Sequence, residues 1–351
     1  MDPRRRRAVR YALLPGCFVV CSVPAQAAGD PGHKFDGYGF VSGYYDDNVF
    51  SYSDEDRLAY ESGTGEAGKF PIAGLSDFVT TIAARGDYDW SVRRHSMWRA
   101  RVLVDGTLYA NNSDRNNYRF GASMQRVLRN GSVNLSVAYM PSYYLRELYW
   151  RPMPERPAGV TYAAARYATV AVDTRARMRL GSRVDGLVEA GVTNRNYEFP
   201  FDERDNNTYS GAGGVDVEIV RGLRGAFMAA LDVSRARGAD SPDPEAEDIS
   251  NHMIGGSVEF TWKMSRRLRF IESVDYGHQV YSTKNVLDDA HYDRRDDEVS
   301  TTSRIQLVSL DGWQPECFFG YRGSWSNTAP TVAEFGQYTG YRVGLQLTRY
   351  F

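Results

Sequence analysis

Arg175, Arg177 and Arg179 stand at alternate positions in a run whose intervening residues are apolar, and Asp173 continues their phase. Arg99, Arg101 and Asp105 repeat the arrangement upstream, and Asp185, Glu189, Asp216, Glu218, Glu259 and Arg322 occupy similar runs. Residues two apart share one face of an extended strand, and a face with three arginines cannot lie against lipid. Such a set can do electrostatic work. Charged rings along a passage set ion preference, whereas opposite signs on neighbouring strands neutralise each other. An arginine excess at a constriction predicts a taste for anionic solutes; complete pairing predicts none.

Catalysis is the competing chemistry. His33, His95, His252, His278 and His291 form no Ser/His or Asp/His spacing that supports a catalytic set. His278 lies in a strand-like run and would need an inward serine or carboxylate. The expectation is a protein that is not an enzyme and uses no cofactor. The acidic stretches Asp46-Asp47-Asn48, Asp54-Glu55-Asp56 and Asp240 to Asp248 contain oxygen ligands suited to calcium, but none matches an EF-hand loop. Solvated acidic loops account for them, and no metal site is expected.

The segment Tyr143-Tyr144-Leu145-Arg146-Glu147-Leu148-Tyr149-Trp150-Arg151 is unusually aromatic for a solvated loop. Folded inward, it narrows a channel and offers aromatic faces and arginines to sugars. The blander reading, that it joins the interfacial aromatic belt or extends the strands outward, carries more weight.

Elements able to position these residues follow from the rest of the chain. Arg4 to Arg7 and Arg10 precede an apolar stretch from Tyr11 to Val23 and the small-residue pattern Ala25-Gln26-Ala27, so residues 1–27 read as a cleaved signal peptide and 28–351 as one domain. Cleavage takes five arginines and one aspartate from 42 basic and 44 acidic residues, leaving a net charge of −6 that argues against nucleic acid. It also takes Cys17 and Cys21, so Cys317 has no internal disulfide partner and no cysteine metal site can form. With a mean hydropathy of −0.49 and no run of about 18 apolar residues, helical spanning is excluded. A transmembrane barrel escapes that test because only every second residue is apolar.

Alternation is what the chain displays. Trp98, Ala100, Val102, Val104, Gly106 and Leu108 form one apolar face, and Ala168, Val170, Val172, Thr174, Ala176, Met178 and Leu180 another. Similar runs, with weaker ones near 35–46, 76–86, 266–281 and 298–311, total about 14 strands. Short turns near Gly86-Asp87, Asn130-Gly131, Gly181-Ser182-Arg183, Arg221-Gly222, Ser265-Arg266 and Asp311-Gly312 take turns with long loops near 47–75, 111–116, 143–162, 198–206, 236–250, 282–297 and 328–337. That asymmetry belongs to an outer-membrane barrel with both ends in the periplasm. A two-residue turn at Asn130-Gly131 pairs Leu128 with Val133 and Met124 with Val137. A three-residue turn at Gly181-Ser182-Arg183 pairs Arg179 with Asp185 and Arg175 with Glu189, and one at Val220-Arg221-Gly222 pairs Glu218 with Arg224. Glu272 breaks the pattern by sharing the phase of Leu268, Phe270, Val274 and Tyr276, through either a bulge or an oligomer contact.

The chain ends Leu345-Gln346-Leu347-Thr348-Arg349-Tyr350-Phe351, which resembles the terminal signal read by barrel-assembly machinery, with Phe351 last and Arg349 where an apolar residue is usual. The segment Tyr44-Tyr45-Asp46-Asp47-Asn48-Val49-Phe50, with Leu75-Ser76-Asp77, resembles the opening hairpin of β-barrel porin 2 type proteins, and less closely the barrel half of surface lipoprotein assembly modifiers. The resemblance covers about the first fifth of the chain. It implies an all-β transmembrane antiparallel up-and-down barrel. The expected function is an outer-membrane channel for passive diffusion of small hydrophilic, anionic or saccharide, solutes. Its expected partners are outer-membrane lipid, lipopolysaccharide, the assembly machinery and the solutes. Export or surface display of a polysaccharide or protein, and a structural or adhesive barrel, are the alternatives.

Overall fold

The computed structural model describes residues 34–65, 68–93, 96–149, 162–241, 247–286, 288, 290–307, 312–327 and 337–351. The stretch 1–27 read as a signal peptide, Trp150, Arg151, His33 and His95 lie outside them. Fourteen strands follow in chain order: β1 (Lys34–Asp46), β2 (Asp77–Arg93), β3 (Ser96–Tyr109), β4 (Asn117–Leu128), β5 (Gly131–Tyr149), β6 (Tyr162–Arg179) and β7 (Val184–Tyr197) form one half. The other half is β8 (Asn206–Val220), β9 (Leu223–Ala236), β10 (Asn251–Lys263), β11 (Leu268–Tyr281), β12 (Arg295–Leu307), β13 (Trp313–Ser326) and β14 (Tyr338–Tyr350). Each pairs antiparallel with the next, and β14 closes on β1 with Tyr38 opposite Tyr350 and Asp46 opposite Arg342. The chain is thus a closed all-β barrel of 14 strands, and short connections alternate with long ones along it.

Closure removes the unpaired edges that an open sheet would expose to lipid. The apolar phase lies outside: Val102, Val172, Leu135 and Leu345 are 59%, 41%, 50% and 68% exposed. Trp98, Trp262 and Trp313 mark the end with short turns, while Tyr45, Tyr139, Tyr209, Tyr276 and Tyr341 mark the end with long loops. Aromatic girdles at both ends of an apolar band match the two interfaces of a bilayer.

Three local expectations need correction. No turn interrupts Gly86-Asp87; β2 runs through both to Arg93, with Gly86 opposite Val102 and Asp87 opposite Arg101. An aspartate there is tolerable because it faces inward. The β4–β5 turn is Arg129-Asn130, pairing Leu128 with Gly131, Met124 with Leu135 and Ala122 with Val137. The register is therefore two residues from expectation, a shift that keeps every side chain on its face. Gly131 is required by packing, since a Cβ there would stand 2.1 Å from Arg177 O on β6. Finally, much of the third long loop is strand. β5 continues to Tyr149, with register shifts between Met140 and Tyr143 and between Tyr144 and Arg146.

The two remaining pairings have the expected register. Arg179 faces Asp185 and Arg175 faces Glu189 across β6–β7. Glu218 faces Arg224 across β8–β9, where a register shift past Glu218 shortens the turn to Arg221-Gly222.

Candidate functional site

Inward side chains in the periplasmic half of the barrel form ladders of opposite charge. On β2 and β3, Arg99 Nε and Nη2 donate to Asp89 at 2.6 and 2.7 Å, while Arg85 and Arg101 both reach Asp87, at 2.5 and 3.0 Å. Asp105, two inward pairs above Arg101 and in the half nearer the long loops, accepts from Arg119 of β4 at 2.8 Å. On the wall from β6 to β9, Arg175 lies 2.5 Å from Glu189, and Arg177 lies 2.5 Å from Asp185 and 3.0 Å from Asp216. Arg224 approaches Asp216 at 3.0 Å, and Arg179 stands 4.0 Å from Asp185. Glu259 accepts from Arg304 of β12 at 2.9 Å. Asp173 lies over Gly191, where a Cβ would come within 2.3 Å of its Oδ1; the glycine makes room for the carboxylate. Glu218 sits beside Arg224 near the turn.

These contacts arise from antiparallel geometry. Residues directly opposite on neighbouring strands bring their Cβ atoms to roughly 5 Å, within reach of an arginine and a carboxylate. Arg85, Asp87 and Asp89 belong to the same set but were hidden by reading Gly86-Asp87 as a turn. Their signal was present in the sequence, because Ile82, Ala84, Gly86, Tyr88 and Trp90 hold the outward phase.

The extracellular half is built differently. Beyond β1 the chain folds back into the mouth, so that Val49, Phe50 and Tyr52 bury themselves against the inward Val79 together with Leu75 and Tyr144. Ser53 caps helix α1 (Asp54–Ser62) by accepting from Asp56 N at 3.0 Å, and Gly63, at φ 67°, ends it. Asn48 holds the entry by bonding both the N–H and the C=O of Tyr52. Arg322 does not line the ladders. It reaches up from β13 to Asp46 at 2.9 Å and to the Asn48 carbonyl.

The bulged end of β5 supplies the facing wall. Tyr143, Leu145 and Leu148 pack with the inward Tyr167, Tyr197 and Ala236 and with the loop residues Phe201 and Ile249. Tyr144 meets Phe50 edge-on with ring centroids 6.3 Å apart and bonds Glu147 at 3.2 Å, while Arg146 stacks over Tyr52. Tyr149 is exposed and packs on Tyr162. Between the two clusters lies Arg115, 3% exposed, donating to Leu145 O at 3.0 Å and to the Tyr143 hydroxyl at 2.6 Å. Its guanidinium is 4.8, 5.2 and 5.4 Å from the rings of Phe50, Tyr109 and Tyr143. Burial pulls its pKa down from the ordinary arginine value. Nothing in the local pattern Ser113-Asp114-Arg115 signals this role; apart from Tyr109 it depends on Tyr143, Leu145 and Phe50, 28 to 65 residues away.

Among the described histidines, His252 and His278 occupy the outer face, His278 with Nδ1 2.9 Å from Asp297 Oδ1. His291 is buried in the sixth long loop against Asp288. The terminal Phe351 is exposed and its N–H bonds Gly37 O at the barrel seam.

A closed antiparallel barrel with an apolar outer band, two aromatic girdles and a charged interior defines an outer-membrane-spanning protein. No protein-family profile matches the chain, and no curated protein matches it. Solved structures to which it is similar include the outer membrane channel DcaP of Acinetobacter baumannii, at 14% identity over 92% of this chain and 99% of that one with a TM-score of 0.46. Others are an anion-selective porin from Comamonas acidovorans (8% identity, 91% and 99% covered, TM-score 0.44) and a bacterial polysaccharide outer membrane secretin (12%, 90% and 98%, TM-score 0.42).

Proposed function

We propose that the protein is a narrow outer-membrane channel for passive diffusion of small hydrophilic solutes, selecting by size at a loop-filled mouth more than by charge. The observation that carries this reading is the division of the interior. Its periplasmic half is lined by arginines and carboxylates that a dry core would not accommodate so densely, beneath a mouth constricted by Phe50, Tyr144, Leu145 and Leu148. A 14-stranded barrel is wider than the 8-stranded kind filled by its own side chains and narrower than the 16 to 18 strands of open porins.

The arginines that suggested an anion filter each stand beside a carboxylate, so the ladders carry little net field, and anion preference is expected to be weak. Of the described aromatic rings that suggested a surface for sugars, Tyr143 and Tyr144 are buried against Tyr167 and Phe50, and Tyr149 is exposed. Planar-bilayer recording of the refolded mature protein tests the reading. Small, steady open steps with a reversal potential near zero in a salt gradient are expected. Silence from a correctly folded barrel would sink the channel, and strong ion selectivity would sink the neutral lining.

A further inference from the structure

The outer face of β11 carries Leu268, Phe270, Glu272, Val274, Tyr276 and His278, and its pairing with both neighbours is regular throughout. No bulge turns Glu272 inward. It stands opposite Phe260 on β10 and Ser303 on β12, four residues above the periplasmic end of its strand. Among the described outward residues between the aromatic girdles, Glu272 alone carries a charged group.

Ser303 Oγ donates to Glu272 Oε2 at 2.6 Å. Among the described residues, none donates to the second carboxyl oxygen. Thr301, one pleat above Ser303 on the same outward phase, has a hydroxyl that bonds no side chain among the described residues. Higher on the same two strands the Tyr276 hydroxyl donates to Asp297 at 2.7 Å beside His278, so polar groups continue to the extracellular rim. Around the Glu272–Ser303 pair lie Phe260, Phe270, Ile305 and Phe319. A spare acceptor and a spare donor ringed by apolar side chains have the anatomy of an interface core. Left against hydrocarbon, they would be costly.

We propose that the outer face of β11 and β12 is the contact surface of a two-fold dimer of this chain. Rotation about the membrane normal preserves depth, so a second copy inserted in the same direction presents Glu272, Ser303 and Thr301 at the depth of the first. Each Glu272 then accepts from the Thr301 hydroxyl of the other copy. The patch is self-complementary, as an isologous contact requires. Lipid tails offer no such donor.

Cross-linking in the outer membrane tests this with the full chain. In a Cys317→Ser background, Val274→Cys, next to Glu272 on the outer face and opposite Thr301, should give oxidised dimers, while Val137→Cys on the opposite wall should give none. Light scattering of the purified protein in detergent should report two copies, and Glu272→Leu should lower this to one while the barrel still shifts on heating in gel electrophoresis. If Glu272→Leu does not assemble, Thr301→Val, which removes only the donor, should lower the dimer fraction at fixed concentration. A single copy for the unaltered protein, equal cross-linking at both positions, or dimers that survive in the assembled variants would overturn the proposal.

Discussion

At the periplasmic end of the lumen, Arg175 and Arg177 keep 29% of their side-chain surface open and meet carboxylates across the strands. At the mouth, Arg115 keeps 3% and meets three aromatic rings, a carbonyl and a hydroxyl. One residue type serves two purposes, and burial separates them. Where water reaches, a pair adds at most about 1 kcal/mol and its value lies in balancing the field. Where water is excluded, an idle donor is costly, so the groups that occupy Nη1 and Nη2 of Arg115 become fixed in place, while its Nε has no partner among the described residues. On the proposed channel reading, the ladder would tune what passes, and the plug formed by the apolar clusters at the mouth would determine whether the mouth stays narrow.

Phe50→Ala strains that distinction most. Phe50 is 1% exposed between Tyr52, Tyr144 and Arg115, and truncating a buried phenylalanine costs about 3–5 kcal/mol. Hydrogen-exchange protection in 47–53 and 143–148 should fall while that of the periplasmic strands holds, and single-channel conductance should rise. An equal fall everywhere would mean that the mouth is not a separate unit. Arg115→Lys should have the next largest effect, about 1.5–3 kcal/mol, because an ammonium keeps the charge but cannot bond Leu145 O and Tyr143 together while stacking on Phe50. Retained protection in both segments would show that charge alone closes the mouth.

Arg175→Ala should be nearly silent in stability, under about 1 kcal/mol, since Glu189 is left in a partly wet lumen. Its consequence should be electrical. One uncompensated carboxylate should move the reversal potential toward cation preference, with an opposite shift in Glu189→Gln. If neither variant moves it, ions do not pass that wall.

The same contrast explains what could be read from the sequence. Strand number, faces and the pairs Arg175–Glu189, Arg179–Asp185 and Glu218–Arg224 are consequences of two-residue periodicity and short turns, which are local. Asn130-Gly131 misled by two residues because Gly131 is demanded by Arg177 O on the next strand, a contact the hairpin alone does not contain. The plug was illegible for a stronger version of that reason. Val49, Phe50, Arg115, Tyr144 and Phe201 come from three connections and the long strand β5, and only the closed barrel brings them together. The aromatic segment after Tyr143 raised two alternatives, inward or extended, and the bulged strand realises parts of both: its backbone stays in the sheet while Tyr143, Tyr144, Leu145 and Leu148 turn into the mouth.

The sixth long loop offers a smaller effect with a definite sign. His291 is fully buried; burial lowers its pKa to about 4, Asp288 opposes that shift and Arg294 adds to it. The Asp288 carboxyl is itself held below its ordinary value: burial raises it, and the His291 contact, the Asp248 N–H and Arg204 together outweigh that. A histidine with a lowered folded pKa contributes stability that is whole above its ordinary value near 6.5 and is lost as pH falls toward 4. The Asp288 term has the same sign and is lost at lower pH still. Protection of 281–294, corrected for intrinsic exchange, should therefore decline between pH 6.5 and 4 while the ladder strands are unaffected, and His291→Gln should flatten the decline. A loop that tightens on acidification would mean that the imidazole is charged in the folded protein, which would place the wet side of the molecule higher in the mouth than the burial of His291 implies.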